Sequence, residues 1–496
     1  MWAKPGVVTV APVHTDPHDI GSGLIPPLDP HTIVLFGASG DLSRRKLLPG
    51  LFHLELAGLL PECRIVGTSL DDLDDDGFRA FARGALDEFA RREVTDEAWE
   101  AFAASLRFVP TAAGPEGLAA TVAAAEADLG GRPRRLHYLS VPPKAALAVV
   151  DLLAEADLVE RSRIIMEKPF GTNLATAIAL NEALHQTFTE DQIFRIDHFL
   201  GKEAALNILA FRFANGLFEP IWNRQHIDHV QIDVPETLSI GSRAPFYEAT
   251  GAFRDMMVTH LFQVLAFMAM EPPTALEPKA IGEEKNKVFR SMSAIEPAHV
   301  VRGQYAGYLD EPGVSPQSET ETFVALRCEI DNWRWAGVPF YLRTGKRLAS
   351  RVSEIVVQFK PVPHSIFEPA AGIVHANQLV IRLQPDEGVK QWIMIKDPGP
   401  GGMRLRHVPL DMSFAQSFNV RHPDAYERLL MDVVRGNQTL FMRRDEVEAA
   451  WRWIDPIQQT WAERPDDVHG YTSGTWGPSS SIGLIERDGR TWHESI

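Results

Sequence analysis

Cysteine is nearly absent from this sequence. Only two of the 496 residues are cysteines, Cys63 and Cys328. Two thiols cannot build the dense disulfide framework of small secreted domains, and no His/Cys cluster has the spacing of metal ligands. The sequence therefore indicates a protein of the reducing cytoplasm that needs no metal.

Basic residues are fewer than acidic residues in this sequence, and long apolar runs are lacking. The 49 Lys and Arg residues are outnumbered by 66 Asp and Glu residues, which leaves a formal charge of -17. This balance argues against a broad nucleic-acid surface and against adhesion to anionic membranes, so any phosphate site must be local. The N-terminus lacks a signal-peptide pattern, and the most apolar later run, residues 261–270, is too short to cross a bilayer. We expect neither nucleic-acid nor membrane partners.

Strand and helix patterns alternate after a proline-rich start. Residues 1–30 carry several prolines without a sustained period and predict a flexible leader. Buried strands are predicted near residues 32–36, 64–67, 135–141 and 163–166. Because Ala- and Leu-rich helical stretches separate these strands, we expect a Rossmann-like α/β domain with a parallel sheet over residues 31–198. The glycine-rich turn described below is the reason to expect that this is a dinucleotide-binding domain.

The pattern changes in the second part of the chain. Alternating strand candidates at residues 229–234, 322–330 and 354–360 have few helices between them. Such alternation is typical of strands that face a core on one side only. We therefore predict a larger α+β domain with a mainly antiparallel sheet over residues 199–496.

A glycine-rich turn follows the first predicted strand. Its residues are Gly37, Ala38, Ser39, Gly40, Asp41 and Leu42. Glycines let the backbone approach a pyrophosphate, and the next helix directs its free N–H groups and positive dipole end at the phosphate. The spacing departs from G-x-G-x-x-G, so the turn alone is equally consistent with a structural role, and only its strand and helix context favours a dinucleotide.

The residues after the second predicted strand bear on the choice of dinucleotide. Leu70 is followed by an aspartate-rich run at residues 71–76. An acidic side chain here could accept hydrogen bonds from a free ribose 2'-hydroxyl and would repel a 2'-phosphate, which favours NAD. A solvated acidic loop that caps the helix from Gly77 onward explains most of these aspartates equally well. Arg45 could still contact the 2'-phosphate of NADP.

Two further segments carry ionisable groups. The stretch RIDHFLGKEA, residues 195–204, compresses a carboxylate, an imidazole and an ammonium into a short length of chain. If a helix opens near His198, that residue and Lys202 lie one turn apart and could meet one phosphate. An exposed helix start would explain the same charges. His260 lies at the edge of an apolar helical face, a position typical of a core histidine unless a carboxylate lies beside it.

These motifs together closely resemble those of the glucose-6-phosphate dehydrogenase family. The resemblance includes the glycine turn, residues 195–204, residues 255–260 and the stretch VPFYLRTGK at residues 338–346, and it spans nearly everything after residue 31. It implies oxidation of D-glucose 6-phosphate at C1 to 6-phospho-D-glucono-1,5-lactone with NADP as hydride acceptor, the first step of the oxidative pentose phosphate pathway. It also implies that residues 199–496 serve substrate binding and oligomerisation, and that the chain forms a homodimer or homotetramer.

The resemblance assigns roles to individual residues. His260 would be the catalytic base and Asp197 the carboxylate that orients it, and an imidazole suits this task because its pKa of about 6.5 leaves it mostly neutral near pH 7. The residues implied to bind substrate are Lys168, His198, Lys202, Glu236, Asp255, Lys346 and Arg351. Those implied to bind the dinucleotide are Gly37, Ala38, Ser39, Gly40, Asp41, Leu42, Arg45 and Lys168.

The chain departs from the family pattern at two positions. Phe199 stands where a tyrosine is common, so one hydrogen bond to the phosphate, of order 1 kcal/mol, is missing. Leu70 stands where an arginine usually meets the 2'-phosphate. Three alternatives stay open: the same reaction with NAD preferred, a catalytically silent nucleotide-binding redox sensor, and a general aldose dehydrogenase.

Overall fold

The computed structural model describes residues 28–197, 199–201, 203–414, 424–464 and 467–494. The first 27 residues of the predicted leader lie outside these ranges, as do the two substrate-binding candidates His198 and Lys202.

The described chain forms two sheets with helices around them. The strands are β1 (His31–Phe36), β2 (Cys63–Thr68), β3 (Leu106–Phe108), β4 (Arg134–Leu139), β5 (Ser162–Met166), β6 (Ile193–Ile196), β7 (Ile227–Pro235), β8 (Val300–Tyr305), β9 (Phe323–Cys328), β10 (Phe340–Gly345), β11 (Ser353–Phe359), β12 (Gln378–Gln384), β13 (Gly388–Lys396), β14 (Leu405–Ser413), β15 (Phe441–Met442) and β16 (Val468–Tyr471). The α-helices are α1 (Leu48–Leu56), α2 (Asp75–Phe89), α3 (Asp96–Ala104), α4 (Gly114–Leu129), α5 (Pro143–Glu155), α6 (Leu174–Thr187), α7 (Glu203–Phe213), α8 (Ala244–Ala252), α9 (Phe262–Ala269), α10 (Pro278–Ser291), α11 (Ala425–Arg435), α12 (Arg444–Glu463) and α13 (Ser479–Glu486).

The first sheet has seven strands in the order β15-β6-β5-β4-β1-β2-β3. All neighbouring strands are parallel except β15, which runs antiparallel to β6. The order 3-2-1-4-5-6 is that of the Rossmann fold, in which ligands bind at the carboxyl ends of the strands where the order reverses. The predicted parallel α/β domain is confirmed, and the reversal lies between β1 and β4.

The second sheet has nine strands in the order β14-β13-β12-β11-β7-β10-β9-β8-β16. Only the pairs β7–β10 and β8–β16 are parallel, so the prediction of a mainly antiparallel sheet is confirmed. The register of β7 and β10 places Pro235 opposite Gly345 at the ends of both strands. The residues that follow them, Glu236 and Lys346, are therefore brought together.

The C-terminal part of the chain returns to the first sheet. Phe441 of β15 pairs with Ile196 of β6. In α12, the Trp451 indole N–H donates to the Phe170 carbonyl at 2.9 Å, and the Asp455 carboxylate accepts the Leu174 N–H at 2.8 Å. Helix α12 thus contacts the segment that follows β5, while the predicted domain boundary at residue 198 stays a prediction.

The apolar run at residues 261–270 lies in the core. Every residue of α9 is buried. Carbonyl groups at its C-terminal end accept hydrogen bonds from three buried side chains: Arg212 donates to the Phe267 and Met270 oxygens, Trp222 to the Met268 oxygen and Trp335 to the Ala269 oxygen, at 2.7–2.8 Å. These donors satisfy the helix end that would otherwise lack partners. Among the described helices, none combines the length and apolar character needed for a membrane span.

A buried ion pair joins three helices beneath this run. Lys285 of α10 places its Nζ 2.8 Å from a carboxylate oxygen of Glu446 in α12 and 2.7 Å from the amide oxygen of Gln263 in α9. Burial raises the pKa of Glu446, and the ammonium opposes that rise. Since all three side chains are buried, each depends on the others for hydrogen bonds.

We expect Lys285→Met to lower the free energy of unfolding by about 3–5 kcal/mol, because the substitution leaves Glu446 buried without its cation. Lys287→Met is the matched control, since Lys287 on the same helix pairs with Glu284 at the surface and should cost less than about 1 kcal/mol. Urea unfolding followed by tryptophan fluorescence measures both. Equal losses in the two variants would contradict the structural role given to the buried pair.

Candidate active site

The glycine turn lies at the carboxyl end of β1. Gly37 has a φ of +75°, and a Cβ at this position would lie 2.2 Å from the carbonyl oxygen of Ser140, just after β4. Only glycine fits there without moving the backbone. The Gly37 and Ala38 N–H groups donate to the Thr68 carbonyl oxygen at 2.9 and 3.1 Å. The turn thus opens a helix in the crevice between β1 and β4, the arrangement predicted for a pyrophosphate.

Most of the acidic residues after β2 have structural tasks. Asp74 caps α2 by accepting the Gly77 N–H at 2.8 Å. Asp75 accepts the Phe108 N–H at 2.7 Å, and Asp76 forms a surface ion pair. The helix-capping interpretation of the acidic run is confirmed for Asp74.

Asp71 differs from these aspartates because it contacts the glycine turn. Its carboxylate accepts a hydrogen bond from the Ser39 hydroxyl. The Leu70 side chain is 94% exposed. Arg45, the cation expected near a 2'-phosphate, forms an ion pair with Asp41 at 2.6 Å. Arg45 and Asp41, which are both predicted to contact the cofactor, are therefore paired with each other in this structure.

Ionisable groups converge where β5 and β6 end. Lys168 follows β5 by two residues, Asp197 directly follows β6, and His260 lies in a π-helical segment, Phe253–Leu261. His260 Nδ1 lies 2.5 Å from Asp197 Oδ1, and His260 Nε2 lies 2.9 Å from Lys168 Nζ. An ammonium can only donate, so Nε2 accepts and Nδ1 carries the ring proton. Nε2 is therefore the basic atom of the imidazole.

Lys168 links the histidine to Asp255. Its Nζ donates to the Asp255 carboxylate at 2.8 Å and to the Asp255 carbonyl oxygen at 3.1 Å. With the contact to His260 Nε2, all three N–H donors of the ammonium are used. The π-helical segment helps to build this arrangement, since it presents residues 255 and 260 to one cation, and short π-helical segments are frequent at functional sites.

Burial and neighbouring charges set the protonation of the site. Burial lowers the pKa of His260 below its ordinary value; Asp197 opposes this shift and Lys168 reinforces it. For Asp255, burial favours the neutral acid, but the charge and hydrogen bond of Lys168 outweigh it, so the pKa lies below the usual range. At neutral pH the site therefore holds a neutral imidazole between charged partners.

Phe199 packs against the imidazole. Its ring is stacked on His260 with 4.4 Å between centroids and an interplanar angle of 26°. The Asp197 carboxylate also accepts the Phe199 N–H at 2.9 Å, and the next described helix, α7, begins at Glu203. In the sequence, Phe199 indicates only the loss of a hydroxyl group, and no local motif indicates this contact.

A second charged pair lies on the side of the nine-stranded sheet. Lys346 donates to Glu236, and its Nζ lies 5.7 Å from the centre of the Tyr247 ring. Tyr247 is buried, and burial together with Asp255 and neighbouring glutamates raises its pKa well above the ordinary value. Tyr247 was not predicted, because no motif marks it and only the fold brings α8 to this place.

The structure connects most of the predicted site but not all of it. The residues in direct contact form two groups, Asp197–His260–Lys168–Asp255 and Glu236–Lys346. Arg351 is exposed and contacts none of them. Within the part of the chain that the structure describes, no three His, Cys, Asp or Glu side chains are grouped to hold a metal ion.

Family models match almost the whole chain. The model described as "Glucose-6-phosphate dehydrogenase, NAD binding domain" matches residues 34–207, and the model of the C-terminal domain of the same family matches residues 209–493. A glucose-6-phosphate 1-dehydrogenase of Rhizobium meliloti is 52% identical over 96% of this chain and 100% of its own length. One of Zymomonas mobilis is 46% identical over 93% of this chain and 99% of its own.

Solved structures agree with this similarity. A glucose-6-phosphate 1-dehydrogenase from Mycobacterium avium is 37% identical, with a TM-score of 0.84 over 95% of this chain and 99% of that one. A glucose-6-phosphate dehydrogenase in complex with its substrate glucose 6-phosphate is 32% identical, with a TM-score of 0.88 over 95% of this chain and 100% of that one.

Lys168→Met should raise the pKa of His260, because the variant lacks the ammonium that disfavours a second proton on the ring. Histidine resonances followed by NMR against pH in the free protein measure the shift, with His260 assigned from His260→Asn. Arg254→Met is the control, since this nearby cation binds Gln458 rather than the imidazole. A lower or unchanged pKa in Lys168→Met would contradict the assigned contact.

Proposed function

This chain belongs to the glucose-6-phosphate dehydrogenase family, and on that basis we propose that it oxidises D-glucose 6-phosphate at C1 to 6-phospho-D-glucono-1,5-lactone. The hydride passes to a nicotinamide dinucleotide, and the reaction is the first step of the oxidative pentose phosphate pathway. The observation that carries this proposal is the buried contact of Asp197, His260 and Lys168 at the carboxyl ends of β5 and β6.

His260 acts as the general base. Its Nε2 accepts the proton of the sugar's C1 hydroxyl, while the Asp197 carboxylate holds Nδ1–H and stabilises the imidazolium that forms. The bound nicotinamide supplies the hydride acceptor for the hydrogen on C1. Stacking against Phe199 limits rotation of the ring, so that Nε2 keeps its direction toward the crevice.

Lys168 changes partners when the sugar binds. Its ammonium occupies the Nε2 lone pair in the free protein, so the base can reach a hydroxyl only after that contact is released. Asp255 retains the ammonium through two hydrogen bonds, which keeps Lys168 at the site. Lys168 then donates to the sugar, and its positive charge favours loss of the hydroxyl proton.

The remaining substrate contacts follow the family assignment. Glu236 and Asp255 serve as acceptors for sugar hydroxyls. Lys346, which is hydrogen-bonded to Glu236, is a buried cation on the side of the nine-stranded sheet. His198 and Lys202 stay the predicted phosphate ligands. Arg351 stays a predicted contact as well.

Two hydride acceptors are candidates for this reaction. NADP is the acceptor implied by the family resemblance, and Arg45 is the predicted contact for its 2'-phosphate. NAD is favoured by one specific feature, the Leu70-Asp71 pair at the end of β2. The Gly37 turn and the crevice beside β4 suit the pyrophosphate that both dinucleotides share.

The proposed location is the cytoplasm and the proposed assembly a homodimer or homotetramer. Both cysteines are free buried thiols, a state that a reducing compartment preserves. Leu410 and Met412 on the edge strand β14 are 57% and 46% exposed, and a partner sheet could cover such apolar side chains.

His260→Asn is expected to lower kcat by roughly 100-fold or more with little change in the KM for glucose 6-phosphate, because the general base is lost while the binding groups stay. His229→Asn is the matched control, since His229 is a buried imidazole beside Asp228 at the far end of β7. Steady-state rates of reduced nicotinamide formation measure both variants. An unchanged kcat in His260→Asn would remove this residue from its role.

The substrate assignment predicts that glucose 6-phosphate is oxidised and that unphosphorylated glucose is oxidised at least about 100-fold less efficiently, because a charge-assisted phosphate site contributes several hydrogen bonds. Initial rates with each sugar, measured with both dinucleotides, test this. Equal kcat/KM values for the two sugars would indicate a general aldose dehydrogenase. No rate with either sugar would favour a silent nucleotide-binding protein.

A further inference from the structure

The end of β2 holds a carboxylate against the glycine turn. β2 ends at Thr68, whose carbonyl oxygen binds the first two N–H groups of the turn. Three residues later, Asp71 accepts a hydrogen bond from the Ser39 hydroxyl, although the two residues are 32 positions apart. The Ser69 hydroxyl also lies 3.4 Å from the same carboxylate oxygen. Asp71 is therefore held at the place where a Rossmann fold recognises the adenosine ribose.

The two arginines that follow the glycine turn, Arg44 and Arg45, both have other partners. Arg44 and Arg45 both lie over the Phe89 ring, at 5.7 and 5.3 Å from its centre. Arg44 pairs with Glu88 at 2.5 Å, and Arg45 pairs with Asp41 at 2.6 Å. A 2'-phosphate would have to compete with these carboxylates for either guanidinium.

The side chain that precedes Asp71 cannot replace these arginines as a ligand for a 2'-phosphate. Leu70 is 94% exposed and has no donor for a phosphate. Among the described residues, Asp71 itself has hydrogen bonds to serine hydroxyls but no ion-pair partner, so its charge is not neutralised locally. A phosphate at the ribose 2' position would meet a carboxylate, whereas a hydroxyl at that position would meet a hydrogen-bond acceptor.

We infer that Asp71 binds the 2'-hydroxyl of the adenosine ribose and makes NAD the preferred dinucleotide of this chain. The inference rests on the proposed function and narrows its acceptor. Ser39 is a positioning residue in this account, since its hydroxyl directs the carboxylate toward the turn.

Dissociation constants for NAD and NADP, measured by calorimetry on the full chain, test the inference directly. We expect the wild type to bind NAD at least about tenfold more tightly than NADP, and Asp71→Asn to reduce the ratio of the two constants by about tenfold or more. Asparagine keeps an oxygen that can accept the Ser39 hydroxyl, so this variant removes charge rather than shape. Asp71 is exposed, so the substitution should leave the fold intact.

Asp72→Asn is the matched control. Asp72 is the next residue, is exposed, and has no hydrogen bond or ion pair among the described residues. Its substitution should change the NAD to NADP ratio by less than about threefold, as expected for a solvated charge farther from the ligand. An equal change in both variants would overturn the assignment to Asp71, as would tighter binding of NADP by the wild type.

Rates with glucose 6-phosphate separate this inference from the proposed function. Higher kcat/KM with NADP than with NAD would overturn the NAD preference and leave the sugar oxidation standing. Absence of any rate, with Asp71-dependent NAD binding retained, would overturn the proposed function and support the inference. A higher kcat/KM with NAD that falls selectively in Asp71→Asn supports both.

Discussion

A buried histidine shared between a carboxylate and an ammonium is the contact on which the rest of the site depends. Charged groups removed from water require partners, and here each partner comes from a different part of the chain. Asp197 ends a strand of the parallel sheet, Lys168 follows the neighbouring strand, and His260 lies on the helical segment that leads into α9. Displacing any one of these elements would break a hydrogen bond of the buried imidazole or of the carboxylate that orients it.

Much of the surrounding core serves to hold that helical segment in place. The carbonyl groups at the end of α9 accept hydrogen bonds from an arginine and two tryptophan indoles, and Gln263 is fixed by the buried Lys285–Glu446 pair. A rigid support matters for a base, because proton transfer requires a donor and acceptor within hydrogen-bond distance in a defined direction. The buried core of the second domain thus helps to fix the position of the basic nitrogen atom, Nε2 of His260.

The two sheets supply different sides of the same crevice. The parallel sheet contributes the glycine turn, Lys168 and Asp197, and the antiparallel sheet contributes the Glu236–Lys346 pair through the register of β7 and β10. Strand patterns in the sequence predicted both sheets, because buried strands leave apolar runs and half-buried strands leave alternation. The same patterns do not record which strand ends meet. From the sequence, the prediction that these groups converge therefore rested only on the resemblance to a known family.

By itself the sequence determined the fold class, the glycine turn, the absence of a disulfide framework and the chemical types of the catalytic groups, since these depend on residue identity and local periodicity. The tertiary structure decided which contact each of several similar residues makes. The aspartates after β2 look alike in the sequence, yet Asp74 caps a helix and Asp71 meets Ser39. The stacking of Phe199 on His260 is likewise a contact that only the tertiary structure decides. Such contacts join residues far apart in the chain, and no local pattern encodes their distance.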